Sequence, residues 1–442
     1  MERLITKRLI EWKDQVNRKP LILRGARQVG KTWVINEFGK NHFKGKVHHV
    51  NFEKHPDWHP IFDLNFDVRR ILSELEVVLN SRIIPGEDLL FFDEIQGCPR
   101  AMMSLRYFYE EMPALHLISA GSLLEFAFRD IPVPVGRVQF LNMFPLSFPE
   151  FLLATGHQML AEKILELPQK LSDTVHQSLL NQVRNYFFVG GMPECVDFFS
   201  KNGSFVKVFD IQLDLVNTFR TDFSKYAPYS DKQCLNQVLT SLAKNVGRQI
   251  KYARLSTDFS IPTIKKAYDL LRQAQVIRKI PSASPSGLPL EVSASDKKFK
   301  TMLMDIGIMQ QICGLPVDSE AFKTGLLDIH KGALAEQFVG QEMVAASGND
   351  TLYYWSRDEK SSTSEVDYLI SGRGNVIPLE VKSGVAGKLK SMHLLLNTFP
   401  QCPYGVVLSA APYSTLSEQK LVFLPLYYAY QLGADPGLFS TL

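Results

Sequence analysis

The sequence predicts an α/β protein of several domains: a nucleotide-binding parallel sheet first, a basic helical segment in the middle and a second α/β core last. Three observations carry this expectation. An apolar strand runs directly into the glycine-rich turn 25–32 and then a helix. The wholly apolar run LLFF at 89–92 ends in two carboxylates, Asp93 and Glu94. The late stretch EVDYLISGRGNVIPLEVKSG, 365–384, reads as two short strands around a glycine turn, yet it sets Asp367, Glu380 and Lys382 where a plain hairpin has Thr or Ser.

Size and composition bound the rest. At 442 residues the chain exceeds one typical core, which points to two to four domains. With 45% hydrophobic and 21% charged residues it has the balance of a folded globular protein. Cys98, Cys195, Cys234, Cys313 and Cys402 lie far apart with no C-x-x-C pair, which argues against a disulfide framework or a zinc ribbon. The first residues hold no long apolar segment, and nowhere do eighteen uncharged apolar residues run together. The expectation is a cytoplasmic protein without a membrane partner.

The turn after the first strand matches G-x-x-x-x-G-K-[ST] through Gly25, Gly30, Lys31 and Thr32. Backbone N–H groups of such a loop point at phosphate oxygens and the helix N-terminus adds its dipole. Lys31 then reaches the β- and γ-phosphates and Thr32 ligates magnesium, so ATP and Mg2+ are the expected cofactors. An all-apolar strand suits a sheet covered on both faces, and ligands bind at the carboxyl ends of its strands. Asp93 is therefore expected to hold magnesium and Glu94 to polarise the attacking water. A further strand, ALHLISAGS, carries Ser119 and Ser122, read either as γ-phosphate sensors or as a strand-end turn. Arg137 stands alone in an apolar stretch, either as a γ-phosphate contact within its own site or a neighbour's, or as a salt-bridged surface residue. Of His48, His49, His55 and His59 only His55 and His59 have an H-x-x-x-H spacing, no Cys supports a zinc site, and the neighbours in KHPDWHPIF favour a surface loop.

In order, the segments LRGARQVGKT, LLFFDEIQ, SAGSLLEF and GRVQFLNMFPLSFPEF resemble a bacterial and archaeal group of AAA-type ATPases that carry a C-terminal domain of uncharacterised function. YFFVGGMPECV, 186–196, is similar to the helical-lid region of that group. The resemblance implies a P-loop AAA-type ATPase core over 1–150 and a helical lid over 151–235.

Between 241 and 280 stand nine Lys and Arg residues against two Asp, a local excess larger than the +3 of the whole chain. The pattern there is helix, short strand (YARLSTDFS), helix, then a hairpin with a Pro/Ser-rich tip. Ser260 caps the last helix, Pro262 suits its first turn, and Ile264, Ala267, Tyr268 and Leu271 form its apolar face. Lys265, Lys266, Asp269 and Arg272 fall on the other side. This is a winged-helix layout over 236–305, which makes DNA the expected partner. A protein-protein module or a lid with a solvated basic face would read alike.

The final segment, 306–442, reads as a helix from His330 to Ser347 with Leu334, Phe338, Val339 and Met343 inward, three strands, a helix and a further strand. On a strand, Glu380 and Lys382 share one face, and Asp367 on the partner strand lies across the hairpin. Glu336 on the helix completes a set of carboxylates suited to a hard divalent cation, with Lys382 placed to orient water. The element order and the Asp367, Glu380-Val381-Lys382 pattern resemble the restriction-endonuclease-like PD-(D/E)XK nuclease superfamily, although Val366 stands where the motif's name has proline. The resemblance implies a magnesium site at Glu336, Asp367 and Glu380 and a catalytic role for Lys382.

Together these expectations describe an ATP-hydrolysing AAA-type protein acting on DNA through a winged helix, with a C-terminal magnesium-dependent nuclease-like domain. The competing expectation is an ATP-dependent regulatory switch that binds DNA or protein and whose nuclease-like core is catalytically inactive. A protein-remodelling ATPase without nucleic acid is a third, and the basic stretch argues against it. Self-association into a homo-oligomer is left open.

Overall fold

The computed structural model describes residues 1–122, 124–130, 136–226, 231–314, 331–349, 351–357, 364–384 and 389–439. Leu123, residues 358–363 and His330, which belong to segments singled out above, lie outside the described residues. The chain divides into two compact units, Glu2–Phe144 and Pro145–Leu442.

The first unit is built on five strands: β1 (Leu21–Arg24), β2 (Val47–Asn51), β3 (Leu89–Asp93), β4 (His116–Gly121) and β5 (Gln139–Asn142). They pair in the order β2-β3-β4-β1-β5, every pair parallel. β3 and β4 are buried at every position, as strands covered on both faces must be, whereas the edge strand β2 alternates. Because all strands run the same way, the ends of β1, β2, β3 and β4 meet at one edge of the sheet. The packing centre on one side is aromatic, with Phe92 edge-on to Phe52, Phe62 and Phe108 at centroid distances of 5.4, 5.7 and 6.1 Å. The helix Lys31–His42 follows β1 directly.

The second unit opens with five helices, Phe148–Ala154, Gln158–Leu165, Asp173–Val189, Pro193–Asn202 and Phe205–Tyr226. The helix Lys232–Lys244, capped by Asp231, and the helix Ile261–Gln273, capped by Ser260, precede an antiparallel hairpin of β6 (Ile277–Pro281) and β7 (Phe299–Leu303). The short strand expected at YARLSTDFS does not form. Tyr252–Arg254 is a 3-10 turn, and the following loop is held by side chains instead of a ladder. Ser256 Oγ donates to Gln237 Oε1 at 2.7 Å and accepts from the Asp258 N–H at 3.1 Å.

A six-stranded mixed sheet completes this unit: β8 (Tyr353–Ser356), β9 (Glu365–Gly372), β10 (Asn375–Val381), β11 (Gly405–Ser409), β12 (Ser414–Leu416) and β13 (Leu421–Pro425), in the order β12-β13-β11-β10-β9-β8. β8, β9 and β10 are antiparallel neighbours; β10, β11 and β13 are parallel, with the helix Lys390–Thr398 crossing from β10 to β11. β12 and β13 extend the expected strand set. The helix Lys331–Ser347 buries Leu334, Phe338, Val339 and Met343 as its spacing predicts, but also Gln337, Gln341 and Glu342. These polar residues serve buried backbone: Gln337 bonds both the N–H and the C=O of Leu303, Gln341 accepts from Ile306 N, and Glu342 accepts from Phe148 N. The helix is thus enclosed rather than amphipathic. No helix among the described residues is long and apolar enough to cross a membrane.

Candidate nucleotide site and carboxylate cluster

The glycine-rich turn fills the gap between β1 and the helix Lys31–His42. Gly30 takes φ 91°, a left-handed conformation natural to glycine, and a Cβ at Gly25 would collide with the Met143 carbonyl oxygen. The turn delivers Lys31, 7% exposed, whose Nζ donates to the carbonyls of Gly25 at 3.0 Å and Ala26 at 2.7 Å. Thr32 Oγ1 donates to Asp93 at 3.1 Å. The two residues to which magnesium was assigned therefore already face one another.

Asp93 is a hub. Besides Thr32, its carboxylate meets His49 Nε2 at 3.1 Å and Asn51 Nδ2 at 3.3 Å, both from β2, and accepts the Glu94 N–H at 3.1 Å. Glu94 has φ 49° and ψ 46°, a left-handed conformation that costs a non-glycine residue about 1–2 kcal/mol. Its Oε2 accepts from Gln96 Nε2 at 2.5 Å and from Ser122 Oγ at 3.4 Å. Ser122 thus reaches the glutamate at the end of β3, while Ser119 lies buried within β4. Burial pushes the Lys31 ammonium down to about 8, against the opposing pull of Glu94 and Asp93. A buried cation held by two loop carbonyls, beside a hydroxyl–carboxylate pair, fits a triphosphate with its magnesium ion.

Arg137 is placed elsewhere. β1 and β5 pair in parallel with Leu21 opposite Gln139, so Arg137 stands before β1 begins, about 20 Å along the strand direction from the phosphate loop. Its Nε donates to Glu110 at 2.8 Å. The structure does not bring Arg137 to the loop of its own chain. The four histidines also disperse: His48 pairs with Asp88 at 2.9 Å, His49 with Asp93, His55 stacks on Trp58 and His59 bonds the Phe52 carbonyl.

In the second unit β9 and β10 pair with Leu379 opposite Tyr368; one step further sets Glu380 across from Asp367. Lys382 Nζ donates to Glu380 Oε1 at 2.5 Å. The remaining carboxylates turn to a residue outside the expected set, Lys300 on β7. Its Nζ lies 2.9 Å from Glu336 Oε1, 2.6 Å from Glu365 Oε1 and 3.4 Å from Asp367 Oδ1. The other Asp367 oxygen accepts the Val381 N–H at 2.8 Å. Among the described residues no group of three His, Cys, Asp or Glu side chains stands close enough to hold a metal ion. The residues present therefore do not fit a divalent cation: an ammonium stands among the carboxylates assigned to it.

The electrostatics follow. Burial works to lower the Lys300 ammonium, but Glu336, Asp367 and Glu365 outweigh it and hold it well above the ordinary lysine range. Burial raises Glu336 to about 8 against the pull of Lys300, and raises Glu380 to about 7 with Asp367 adding to the effect.

Sequence reasoning missed His49, Asn51, Gln96, Glu365 and Lys300. Asn51 and Gln96 had a usable signal, since a polar residue ending the strand beside β3, or two positions after Glu94, is well placed to reach the carboxylates. Lys300 had none beyond being a lysine inside the apolar run FKTML.

A parallel sheet whose first strand feeds a phosphate loop, with a carboxylate pair ending an apolar strand, defines a P-loop ATPase domain. Comparison places it more narrowly: residues 17–152 match the family described as AAA domain, so this part of the chain is an AAA-type ATPase domain. Residues 180–319 and 331–428 match two domains of unknown function, DUF8612 and DUF4143. No curated protein matches the chain. Among solved structures it is similar to the Walker-type ATPase PABY2304 of Pyrococcus abyssi, with 15% identity and a TM-score of 0.43 over 70% of this chain and 95% of that one. It is also similar to the Aeropyrum pernix ORC1 protein in complex with DNA, with 13% identity and a TM-score of 0.29 over 71% and 92%. The PCH-2 protein of C. elegans gives 13% identity and a TM-score of 0.24 over 48% and 61%.

Proposed function

We propose that this AAA-type ATPase is a switch acting on DNA, in which the nucleotide state of the first unit controls a DNA-contacting winged helix and a nuclease-like core that does not cut. The observation that carries the ATPase part is the meeting of Lys31, Thr32, Asp93 and Glu94 at one edge of the sheet, with Ser122 on Glu94. Lys31 leaves its loop carbonyls to donate to the β- and γ-phosphates, and the loop N–H groups hold their oxygens. Thr32 and Asp93 would hold magnesium, which would supply neutralisation of the charge developing on the transferred phosphoryl group. His49 and Asn51 fix the Asp93 carboxylate. Glu94 exchanges its Gln96 and Ser122 bonds for one to the attacking water and orients it. Arg137 takes no part in hydrolysis within its own chain.

The DNA part rests on the two capped helices and the hairpin. Lys244, Arg248, Lys251, Arg254, Lys265 and Lys266 are exposed there, as phosphate contacts must be. Arg278, 8% exposed, and Lys279, paired with Asp296 at 3.3 Å, are withdrawn from that role. The core reading rests on the helix, the β8–β9–β10 meander, the crossover helix and β11, the order expected of a restriction-endonuclease-like fold. The Lys300 contacts favour the inactive form over the magnesium-dependent nuclease. The test is ATP turnover and plasmid integrity followed together, with Mg2+ and duplex DNA. Turnover that responds to DNA while the plasmid stays intact supports the reading; magnesium-dependent cleavage lost in Lys382→Ala restores the nuclease.

A further inference from the structure

We propose that Lys300 is the resident cation of the C-terminal core: its ammonium, carried in on the β6–β7 hairpin, occupies the place of a divalent metal among Glu336, Glu365 and Asp367. The inference rests on the nuclease-like reading of the core and is independent of the nucleotide site.

Four carboxylates converge on this part of the fold. Glu336 comes from the helix Lys331–Ser347, Glu365 and Asp367 from alternate positions of β9, and Glu380 from β10. Residues two apart on a strand share a face, so Glu365 and Asp367 present their carboxylates together. Left to themselves such groups would repel or recruit a cation. Lys300 supplies that cation from within the chain. It is 0% exposed, its ammonium lies 5.2 Å from the centre of the Tyr354 ring, and its head contacts three carboxylates. An ammonium has three donors and no acceptor, so three carboxylate partners use its full capacity.

The arrangement also engages five of the eight carboxylate oxygens on which a metal could draw. Glu336 Oε1 and Glu365 Oε1 hold Lys300, while Asp367 divides its oxygens between Lys300 and the Val381 N–H. Gly247 leaves room beside the second Glu336 oxygen, since a Cβ there would come within 2.6 Å of it. Glu380 gives Oε1 to Lys382 and keeps Oε2 buried without a partner. A divalent ion drawing on Glu336, Glu365 and Asp367 would have to displace the ammonium from oxygens it already holds. Lys300 has a second effect, joining β7 of the hairpin to the helix and to β9.

The test uses the full chain and Mn2+ as the probe, with bound metal counted by the loss of the free-ion electron paramagnetic resonance signal. Wild type and Asp367→Asn are expected to bind the same number of Mn2+ ions, because no metal uses Asp367. One additional ion in wild type relative to Asp367→Asn overturns the inference. Lys300→Met is then expected to gain one Mn2+ equivalent, lost again when Asp367→Asn is added. A Lys300→Met protein that keeps the wild-type circular dichroism spectrum and gains no Mn2+ also overturns it. Should that variant not fold, the comparison of wild type with Asp367→Asn decides alone. ATP turnover of the same samples reads the nucleotide site, so failure of this inference is distinguishable from failure of the ATPase reading.

Discussion

At the scale of single residues the nucleotide site turns on a buried lysine. Burial pushes the Lys31 ammonium down from its ordinary 10.5 to about 8, because it disfavours the charge. Bound phosphates supply the missing counter-charge and raise it again. Near pH ~9 the free lysine is therefore largely neutral and the bound one charged, so nucleotide binding takes up protons. The measured binding enthalpy should rise with the ionisation enthalpy of the buffer; a zero or negative slope would contradict the assignment. Lys31→Ala removes a donor that acts most strongly in the transition state, and hydrolysis should fall on the order of a hundredfold or more in a steady-state assay. That Lys31, Thr32, Asp93 and Glu94 would meet was legible from the glycine-rich turn and from the apolar run that ends in two carboxylates. Lys300 was not, because nothing local to FKTML reveals which carboxylates the fold will bring to it.

At the scale of elements, the helix Ile261–Gln273 presents Lys265 and Lys266 to solvent while Ile264, Ala267, Tyr268 and Leu271 are buried. Reversing both charges should weaken duplex binding and reduce the slope of log K against log salt by about two, since each phosphate contact contributes about 0.9. An unchanged slope would move the contact surface elsewhere. The Lys300 cluster joins β7, β9 and the helix Lys331–Ser347. Lys300→Met leaves buried carboxylates unpaired and should cost about 3–5 kcal/mol in urea unfolding without metal; a loss under about 1 kcal/mol would mark the cluster as a solvated surface network. Helix 261–273 and strands β8 to β11 followed from apolar periodicity and caps. The enclosed helix Lys331–Ser347 did not, because Gln337, Gln341 and Glu342 look like a solvent face until their backbone partners are known. The stretch 252–260 likewise has strand-like composition, but Ser256 and Asp258 tie it by side-chain hydrogen bonds to Gln237 of the preceding helix instead of a ladder.

At the scale of the whole molecule, the two units carry sheets of different logic. The first is all-parallel, its candidate nucleotide residues gathered where its strands end. The second is mixed, and its acidic centre is closed by a lysine from a neighbouring hairpin. The first sheet was legible from one all-apolar run, LLFF, since a strand buried on both faces leaves a continuous apolar pattern, and the second from one charged hairpin, 365–384. The central claim is that this chain hydrolyses ATP with Glu94 orienting the water, and that Lys31, Thr32 and Asp93 bind the nucleotide independently of that step. The direct measurement is ATP turnover and ATP binding in the same preparation of wild type and Glu94→Gln with Mg2+. The account predicts that Glu94→Gln binds ATP as tightly as wild type and fails to turn it over; hydrolysis at the wild-type rate by Glu94→Gln would contradict it.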